Sequence, residues 1–145
     1  MISLQSGGMV SDYLLDTNIL VRYFRKAEGY GDLLDALSGD DGLYISAITR
    51  LEIVRGMRDR EREVTFGLLN SMQTIPMTAD IADLAGELIR SWRTRGVTIG
   101  EADAVIVASA LHKGLTLITT NARHFPMPEL AVFQADEEGH LTPRV

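Results

Sequence analysis

The sequence contains no cysteine, and it has no apolar run approaching the roughly 20 residues that a membrane-spanning helix needs. The lack of cysteine excludes disulfide bonds and thiolate zinc sites, and it is compatible with a reducing compartment. Residues 1–10 carry no basic segment followed by an apolar one, so we expect no secretory signal peptide there. We therefore expect a cytoplasmic protein that does not associate with a membrane.

The sequence patterns of several common catalytic sites are also missing. No glycine-rich phosphate-binding loop is present. The three histidines do not have the spacing of a zinc site. Neither Ser46 nor Ser109 lies in the motif of a nucleophile elbow. These absences leave the acidic residues as the main candidates for chemistry.

The size and composition of the chain fit one globular domain. It has 145 residues, of which 46% are apolar and 23% charged. We expect a flexible leader at residues 1–10 and a single folded domain at residues 11–145. The formal net charge of −6 argues against binding of nucleic acid through general electrostatics. Arginines are nevertheless concentrated in residues 50–62 and again in residues 90–95.

Apolar runs with strand character alternate with segments of helical periodicity along the whole chain. The predicted strands are residues 13–15, 43–45, 74–75, 115–118 and 130–133. The predicted helices are residues 19–25, 30–37, 47–57, 61–72, a helix capped by Thr78 that runs to about residue 93, and 101–112. Strands that alternate with helices favour parallel pairing through right-handed crossovers. The sequence therefore predicts an α/β fold with three layers (α/β/α) and a parallel central sheet of about five strands.

Asp16 lies where the first predicted strand ends and the first helix begins. In open α/β sheets, ligands bind in the crevice outside the carboxyl ends of the strands. An acid held there close to a core is a candidate for function, because burying a charge is costly. The alternative is that Asp16, with Thr17 and Asn18, only caps the following helix.

Two more acids lie on predicted helices. Asp103 lies in the first turns of a helix that is apolar almost all round, so its carboxylate must meet a cation or become protonated. Its alternative role is a favourable interaction with the helix dipole. Glu52 lies inside the helix that follows the second strand, where it could instead form a surface ion pair with Arg55.

If Asp16, Glu52 and Asp103 lie close together in the fold, a shared metal site becomes a better explanation than three separate structural roles. Parallel strands bring their carboxyl ends to one edge of the sheet, where neighbouring carboxylates would repel one another and raise their pKa values. A divalent cation removes that repulsion, and ligands that are all oxygen suit Mg²⁺ or Mn²⁺. Such an ion can activate water for attack on phosphorus, so we expect metal-assisted hydrolysis of a phosphodiester.

Four stretches of the chain resemble the motifs of PIN-domain ribonucleases, specifically the VapC toxins of type II toxin–antitoxin pairs. In order, they read LLDTNIL at residues 14–20, ISAITRLEIVRG at 45–56, ADAVIVA at 102–108 and LITTNARHF at 117–125. The resemblance implies a PIN-like α/β/α domain and cleavage of RNA with Mg²⁺ or Mn²⁺. It also implies a homodimer and a cognate VapB-type antitoxin that blocks the site.

The resemblance carries over to individual residues. Asp16, Glu52 and Asp103 match the acidic metal site of the family, and we expect them to bind Mg²⁺. A fourth acid is common in the family after the fourth strand, but here Asn121 and His124 occupy the two positions where it occurs. Asn121 can still accept a hydrogen bond or hold a water, and we count it among the catalytic residues. For His124 we expect a hydrogen bond to the backbone rather than a role in substrate binding.

The main hypothesis is a Mg²⁺-dependent endoribonuclease that acts as a toxin, with arginines of residues 50–62 holding the RNA backbone. The absence of a fourth acid favours one rival, a PIN-like domain that binds RNA or a protein partner with weak or no catalysis. A second rival is a small phosphatase with Asp16 as its nucleophile. That chemistry generally needs another acid two residues later, where Asn18 stands.

Overall fold

The computed structural model describes most of the chain, namely residues 5–6, 9–10, 12–39 and 42–144. Within the predicted leader, it describes two short strands, β1 (Gln5–Ser6) and β2 (Met9–Val10), which pair antiparallel. The rest of the leader lies outside the described residues. The predicted boundary between leader and domain therefore stays a prediction.

The main sheet of the described chain has six strands. They are β3 (Tyr13–Leu15), β4 (Tyr44–Ser46), β5 (Gln73–Ile75), β6 (Thr116–Thr119), β7 (Val132–Ala135) and β8 (Leu141–Pro143). Their order across the sheet is β5-β4-β3-β6-β7-β8. The first five strands in this order pair parallel, and β8 is an antiparallel edge strand. The prediction of an α/β fold with about five parallel strands is confirmed.

Helices cover both faces of this sheet. They are α1 (Thr17–Phe24), α2 (Tyr30–Leu37), α3 (Ala47–Gly56), α4 (Arg62–Ser71), α5 (Ala79–Arg93) and α6 (Glu101–Lys113). Successive strand residues point to opposite faces, so Leu14 packs in a core with α5 and α6, whereas Leu15 packs in a second core with α1 and α2. Burial on both faces explains why the strands read as continuous apolar runs. Among the described helices, none combines the length and the apolar composition that a bilayer crossing requires.

Side-chain caps define where two of these helices begin. The predicted cap of α5 is confirmed, because the Thr78 hydroxyl accepts a hydrogen bond from the Ile81 amide at 3.3 Å. Helix α1 begins at Thr17, two residues earlier than predicted, because the Asp16 carboxylate accepts from the Thr17 amide and acts as its cap. The capping alternative for Asp16 is therefore realised, and it does not exclude a second role for the same carboxylate.

The C-terminal part of the sheet differs from the prediction. Strand β7 lies two residues later than predicted, because the Leu130 amide bonds the Met127 carbonyl in a turn. The Arg144 guanidinium donates to the carbonyls of Phe125, Met127 and Leu130 and fixes this turn. Strand β8 was not predicted, since it has only three residues and includes Pro143, which sheets tolerate at an edge.

The order of the strands creates a crevice. From β3 the chain adds β4 and β5 on one side, and then crosses to place β6 on the other side of β3. The carboxyl ends of β3 and β6 therefore flank the point where the winding direction changes. Ligand sites of open α/β sheets lie at this position.

Candidate active site

Residues from four separate parts of the chain meet at the carboxyl ends of β3 and β6. Asp16 directly follows β3, and Asn121 follows β6 by two residues. Glu52 comes from α3 and Asp103 from the first turn of α6. The charges of Glu52 and Asp103 both act on Asp16 and raise its pKa, so the fold brings the three predicted acids into one electrostatic neighbourhood.

Asp16 is the most buried of these acids, with only 4% of its surface exposed. Its Oδ1 accepts a hydrogen bond from the Thr17 amide at 2.8 Å, and its Oδ2 accepts from the Thr119 hydroxyl at 2.7 Å. The pKa of Asp16 is raised from 3.8 to about 6, mainly by burial; the hydrogen bonds from Thr119 and Thr17 oppose this rise, and the Asp103 and Glu52 charges add to it. The carboxylate is thus rigidly held, and its charge is costly.

Glu52 is held by a hydroxyl group rather than by a cation. The Thr17 Oγ1 lies 2.7 Å from Glu52 Oε1 and 3.0 Å from the hydroxyl oxygen of the fully buried Thr49. Among the described residues, no ion pair joins Glu52 to Arg55, so the surface ion pair considered from the sequence does not form. Thr17 therefore links the segment after β3 to helix α3, and it directs Glu52 toward the same end of the sheet.

Asp103 lies in the first turn of α6, and 32% of its side-chain surface is exposed. Partial burial raises its pKa; the nearby His124 ring lowers it, and the Glu52 charge raises it further. The favourable position near the helix N-terminus does not prevent this rise. Asp103 therefore shares with Asp16 an environment in which the charged form is disfavoured.

Asn121 and His124 lie beside Asp103 in the loop after β6. The Asn121 side-chain nitrogen lies 3.1 Å from His124 Nε2, and the other ring nitrogen, Nδ1, lies 3.6 Å from Asp103 Oδ2. The expected contact of the His124 side chain with the backbone is not among the contacts of the described residues. The short 3-10 helix Ala122–His124 turns the ring toward α6 instead.

Thr119 is a site residue that the sequence did not reveal. It is fully buried at the end of β6, it donates to Asp16, and it accepts a hydrogen bond from the Asn121 amide at 3.0 Å. Its hydroxyl thereby connects the acid after β3 with the loop after β6. A threonine at the end of an apolar strand is an ordinary β-forming residue, so only its register opposite β3 gives it this role.

The basic stretch at residues 50–62 is divided between structural and exposed positions. The Arg50 guanidinium donates to the Leu69 carbonyl and to the side chains of Asn70 and Thr74, so it ties α3 to α4 and β5. Arg50 is thus engaged within the fold, and contact of the arginines of residues 50–62 with RNA stays a prediction. Arg55 on the same helix is exposed.

The donor atoms of this site suit a hard divalent cation. Asp16, Glu52 and Asp103 offer only oxygen ligands, and a cation would relieve the repulsion and desolvation that oppose their charges. In the described part of the chain, no three histidine or acidic side chains already form a group able to hold an ion. Glu52 Oε1 accepts a hydrogen bond from the Thr17 hydroxyl in this arrangement, which holds its carboxylate at the same end of the sheet.

Comparison with known proteins identifies the family. The sequence pattern of the PIN domain matches residues 13–129. Ribonuclease VapC10 of Mycobacterium tuberculosis is 36% identical over 116 residues, which cover 80% of this chain and 87% of that protein. Ribonuclease VapC19 of the same organism is 32% identical over 119 residues, which cover 81% of this chain and 95% of that protein.

Solved structures show the same fold. VapBC2 from Rickettsia felis, bound to a DNA fragment from the promoter, contains a chain that matches with a TM-score of 0.70 at 25% identity, over 83% of this chain and 96% of that one. A toxin–antitoxin complex from Klebsiella pneumoniae matches with a TM-score of 0.69 at 28% identity, over 81% of this chain and 93% of that one. The chain therefore belongs to the PIN-domain family and, within it, to the VapC ribonucleases.

Proposed function

We propose that the protein is an endoribonuclease that hydrolyses RNA phosphodiester bonds and acts as the toxin of a toxin–antitoxin pair. The observation that carries the proposal is the buried carboxylate of Asp16, held at the switch point of the sheet beside the charges of Glu52 and Asp103. An arrangement of this kind costs stability unless a cation relieves it. The reaction is supported by the relatives VapC10 and VapC19, which are both ribonucleases.

A divalent metal ion is part of this proposal. VapC ribonucleases are generally dependent on such ions, and we propose Mg²⁺ for this chain, with Mn²⁺ as a substitute. Asp16, Asp103 and Glu52 would hold the ion, because carboxylate oxygens suit hard cations. When bound, it would supply activation of a water molecule and neutralisation of charge on the phosphate.

The side chains of the protein prepare this site in advance. Thr119 and the Thr17 amide each hold one oxygen of Asp16, which restricts rotation of the carboxylate. Asn121 supplies a neutral side-chain amide, which can accept a hydrogen bond from a water molecule or donate one to it. We assign Asn121 to the catalytic residues together with the three acids. Preorganised groups of this kind stabilise developing charge without reorganising during the reaction.

We propose a VapB-type antitoxin as the protein partner. VapBC2 of R. felis and the K. pneumoniae relative are toxin–antitoxin complexes. A partner that presents a cationic side chain to Asp16, Glu52 and Asp103 would neutralise their charges and compete with the metal ion. RNA is the proposed substrate, and we expect the chain to form a homodimer, as the family resemblance implies.

One rival function has an observation in its favour. Asn121 and His124 stand where a fourth acid is common, and Glu52 is bonded to Thr17. Both features are compatible with a PIN domain that binds RNA or a protein and cleaves slowly or not at all. The experiment that tests the proposal must therefore measure cleavage and ion binding together.

The first test compares two substitutions that each remove one negative charge. Asp16→Asn keeps an oxygen that can cap α1, but it removes the buried charge. Asp32→Asn makes the same change at an exposed position of α2 and is the matched control. We expect the native chain and Asp32→Asn to cleave a mixed RNA pool with Mg²⁺ and not with EDTA, and Asp16→Asn to be inactive.

The outcomes separate the two functions. Cleavage by Asp16→Asn at the native rate would contradict the assignment of Asp16. Binding of RNA with no cleavage, and no heat of Mn²⁺ binding by calorimetry, would establish the rival. The toxin assignment is tested by inhibition, since a small protein that co-purifies with this chain should suppress cleavage at equimolar concentration. Failure to do so would contradict the proposed pairing.

A further inference from the structure

The segment at residues 125–130, which continues the loop after β6 toward β7, is short of main-chain donors. It reads FPMPEL, and it forms neither a helix nor a strand. Pro126 and Pro128 have no backbone N–H, so two of the donors from which main-chain hydrogen bonds are made are missing here. The carbonyl groups of this segment therefore depend on donors from another part of the chain.

Arg144 supplies these donors. Its guanidinium donates to three main-chain carbonyls of the segment, those of Phe125, Met127 and Leu130. The bonds to the Met127 and Leu130 oxygens are 2.6 Å and 2.5 Å long. Hydrogen bonds from a charged donor are stronger than those between neutral groups, and a guanidinium holds its N–H donors in one rigid fork. The side chains of the same three residues are buried, so Arg144 fixes the main chain of a segment that is already anchored in the core.

The last two strands of the sheet bring these contacts to the loop. Strand β8 pairs antiparallel with β7, and the amide of Arg144, directly after β8, donates to the Val132 carbonyl at 2.9 Å. On β7, the side-chain oxygen of Gln134 accepts a hydrogen bond from the Ala122 amide at 2.9 Å. The strands therefore bond the main chain at Ala122 and again from Phe125 onward.

Asn121 lies at the other end of the part that these bonds hold. It precedes the 3-10 helix Ala122–His124, and its amide donates to the Thr119 hydroxyl at 3.0 Å. Phe125 follows the same helix, and its amide donates to the Ala122 carbonyl at 3.0 Å. A 3-10 helix of one turn has poor hydrogen-bond geometry. Its orientation, and with it that of Asn121, therefore depends on the bonds at its two ends.

We propose that Arg144 is a positioning residue for RNA cleavage: by holding the carbonyls of residues 125–130, it fixes the loop that places Asn121 at the carboxyl end of β6. The inference rests on the proposed function, in which Asn121 is a catalytic residue. Arg144 acts through the main chain and touches neither the substrate nor a metal ion. Strand β8 thereby serves the site by carrying Arg144 to this loop.

Hydrogen exchange of the full chain, followed by mass spectrometry, tests the structural step without an assay of activity. Arg144→Gln leaves a single amide group to serve three carbonyls. We expect the amides of residues 121–125 to exchange about 10-fold faster in this variant, and those of α2 to exchange at the native rate. Arg90→Gln makes the same change at an exposed position of α5 and is the matched control, which should leave both segments unchanged.

The kinetics of RNA cleavage test the link to Asn121. Arg144→Gln should lower kcat by about 10-fold with little change in KM, because a misplacement of about 1 Å near the reaction can cost up to about 100-fold. Arg144→Lys keeps the charge and more than one donor, so it should recover part of the loss. In an Asn121→Ala background, Arg144→Gln should lower kcat no further, because the side chain that it positions is already gone.

The outcomes separate this inference from the proposed function. Native exchange of residues 121–125 in Arg144→Gln would overturn the inference, whether or not the chain cleaves RNA. Equal losses of kcat in the native and Asn121→Ala backgrounds would also overturn it, since Arg144 would then act on stability alone. A native chain that leaves RNA uncleaved with Mg²⁺ would overturn the proposed function, and exchange would still decide whether Arg144 holds the loop.

Circular dichroism checks that each variant is folded at the temperature of the measurements. If Arg144→Gln is not folded, the milder Arg144→Lys takes its place in both experiments, with a smaller change expected in the same direction. Exchange and kcat at the native values in Arg144→Lys, together with an unfolded Arg144→Gln, would show a role in stability only and would overturn the inference.

Discussion

Two aspartate–histidine pairs in this protein have nearly the same geometry and opposite electrostatics. His124 lies 3.6 Å from Asp103 at the end of the sheet, and His140 lies 3.5 Å from Asp136 in the turn between β7 and β8. The pKa of Asp103 is raised, mainly by burial. The pKa of Asp136 is lowered, mainly by the hydrogen bond from the His140 amide, with a further bond from a second backbone amide.

The difference shows that contact with an imidazole does not decide the preferred state of a carboxyl group. Asp136 is exposed, and two backbone amides donate to its Oδ1 at 2.9 Å, so its charge is favoured and it stabilises a turn. Asp103 lies on a buried helix near Glu52 and Asp16, so its charge is disfavoured and is available to a cation. Residue type is the same in the two pairs, and the surroundings differ.

The largest expected effect is on the rate of RNA cleavage, and it should distinguish Asp103 from Asp136. Asp103→Asn should lower the rate of RNA cleavage by about 1,000-fold, the upper end of what one preorganised electrostatic group contributes. Asp136→Asn should leave the rate unchanged, because its surroundings show no function beyond the turn. Single-turnover cleavage of one RNA substrate by both variants measures this. Equal losses in the two variants would mean that the site at the end of the sheet is wrongly placed.

The second prediction concerns the effect of pH on stability in metal-free buffer. The pKa of Asp16 is higher in the folded state than its ordinary value, so the folded state binds the proton more tightly. Its contribution is therefore greatest below the unfolded pKa and is lost as the pH rises through the folded value of about 6. A rise from 3.8 to about 6 corresponds to about 3 kcal/mol of stability, at about 1.4 kcal/mol per pKa unit.

Guanidinium unfolding of the native chain and of Asp16→Asn, at about pH 4 and about pH 7.5, checks this prediction. The native chain should lose more free energy of unfolding between the two pH values than the variant does, by on the order of 3 kcal/mol. Identical pH dependence in the two proteins would refute the argument that Asp16 ionises at a cost.

The third prediction sharpens the role of the hydroxyl that supports Asp16. Thr119→Val conserves the shape of the side chain but removes the donor to Oδ2, so it should cost about 2 kcal/mol of stability near neutral pH and raise the pKa of Asp16 further. The pH at which cleavage rises should move upward with that pKa. Thr116→Val, on the same strand, is the matched control and should leave the pH profile in place. A profile that does not move in Thr119→Val would contradict this role.

The smallest expected effect has the opposite sign. The pKa of Asp136 is lowered in the folded state, so its charge contributes stability above its ordinary value of 3.8, and this contribution is lost as the pH falls through the folded value. Asp136→Asn should therefore lower the melting temperature slightly at neutral pH and have no effect in strong acid. Thermal unfolding followed by circular dichroism at the two pH extremes measures it. If Asp136→Asn instead became more stable than the native chain as the pH rises, the prediction that the Asp136 charge stabilises the fold would be wrong.

Local patterns in the sequence predicted most of the fold. The apolar triplet at Tyr13–Leu15 and the helical segment at Tyr30–Leu37 have the predicted bounds, because period and capping depend on neighbours within a few positions. Strand β8 was not predicted. Its three residues carry little periodic signal, and it forms by pairing with β7 in the folded sheet.

For the candidate site, the sequence predicted the acidic residues but not the side chains that hold them. Asp16 at a strand end, Asp103 in the first turns of a helix and Glu52 inside another helix indicated a shared acidic site, and their electrostatic coupling agrees with that expectation. The partners of these acids were not predictable. Thr119 is separated from Asp16 by 103 positions, and the ring of His124 reaches Asp103 across a loop and a helix.

By itself, the sequence determined the class of this protein: an α/β domain of parallel strands with three acids in the motif order of the PIN family. Only the tertiary structure decided that Asp16 is buried, that Thr119 holds it, that Arg50 ties helices together, and that His124 faces an acid. The physical reason is the separation along the chain of the residues that interact. Secondary structure depends on interactions between neighbours along the chain, whereas burial and hydrogen-bond partners depend on which strands lie side by side and in what register.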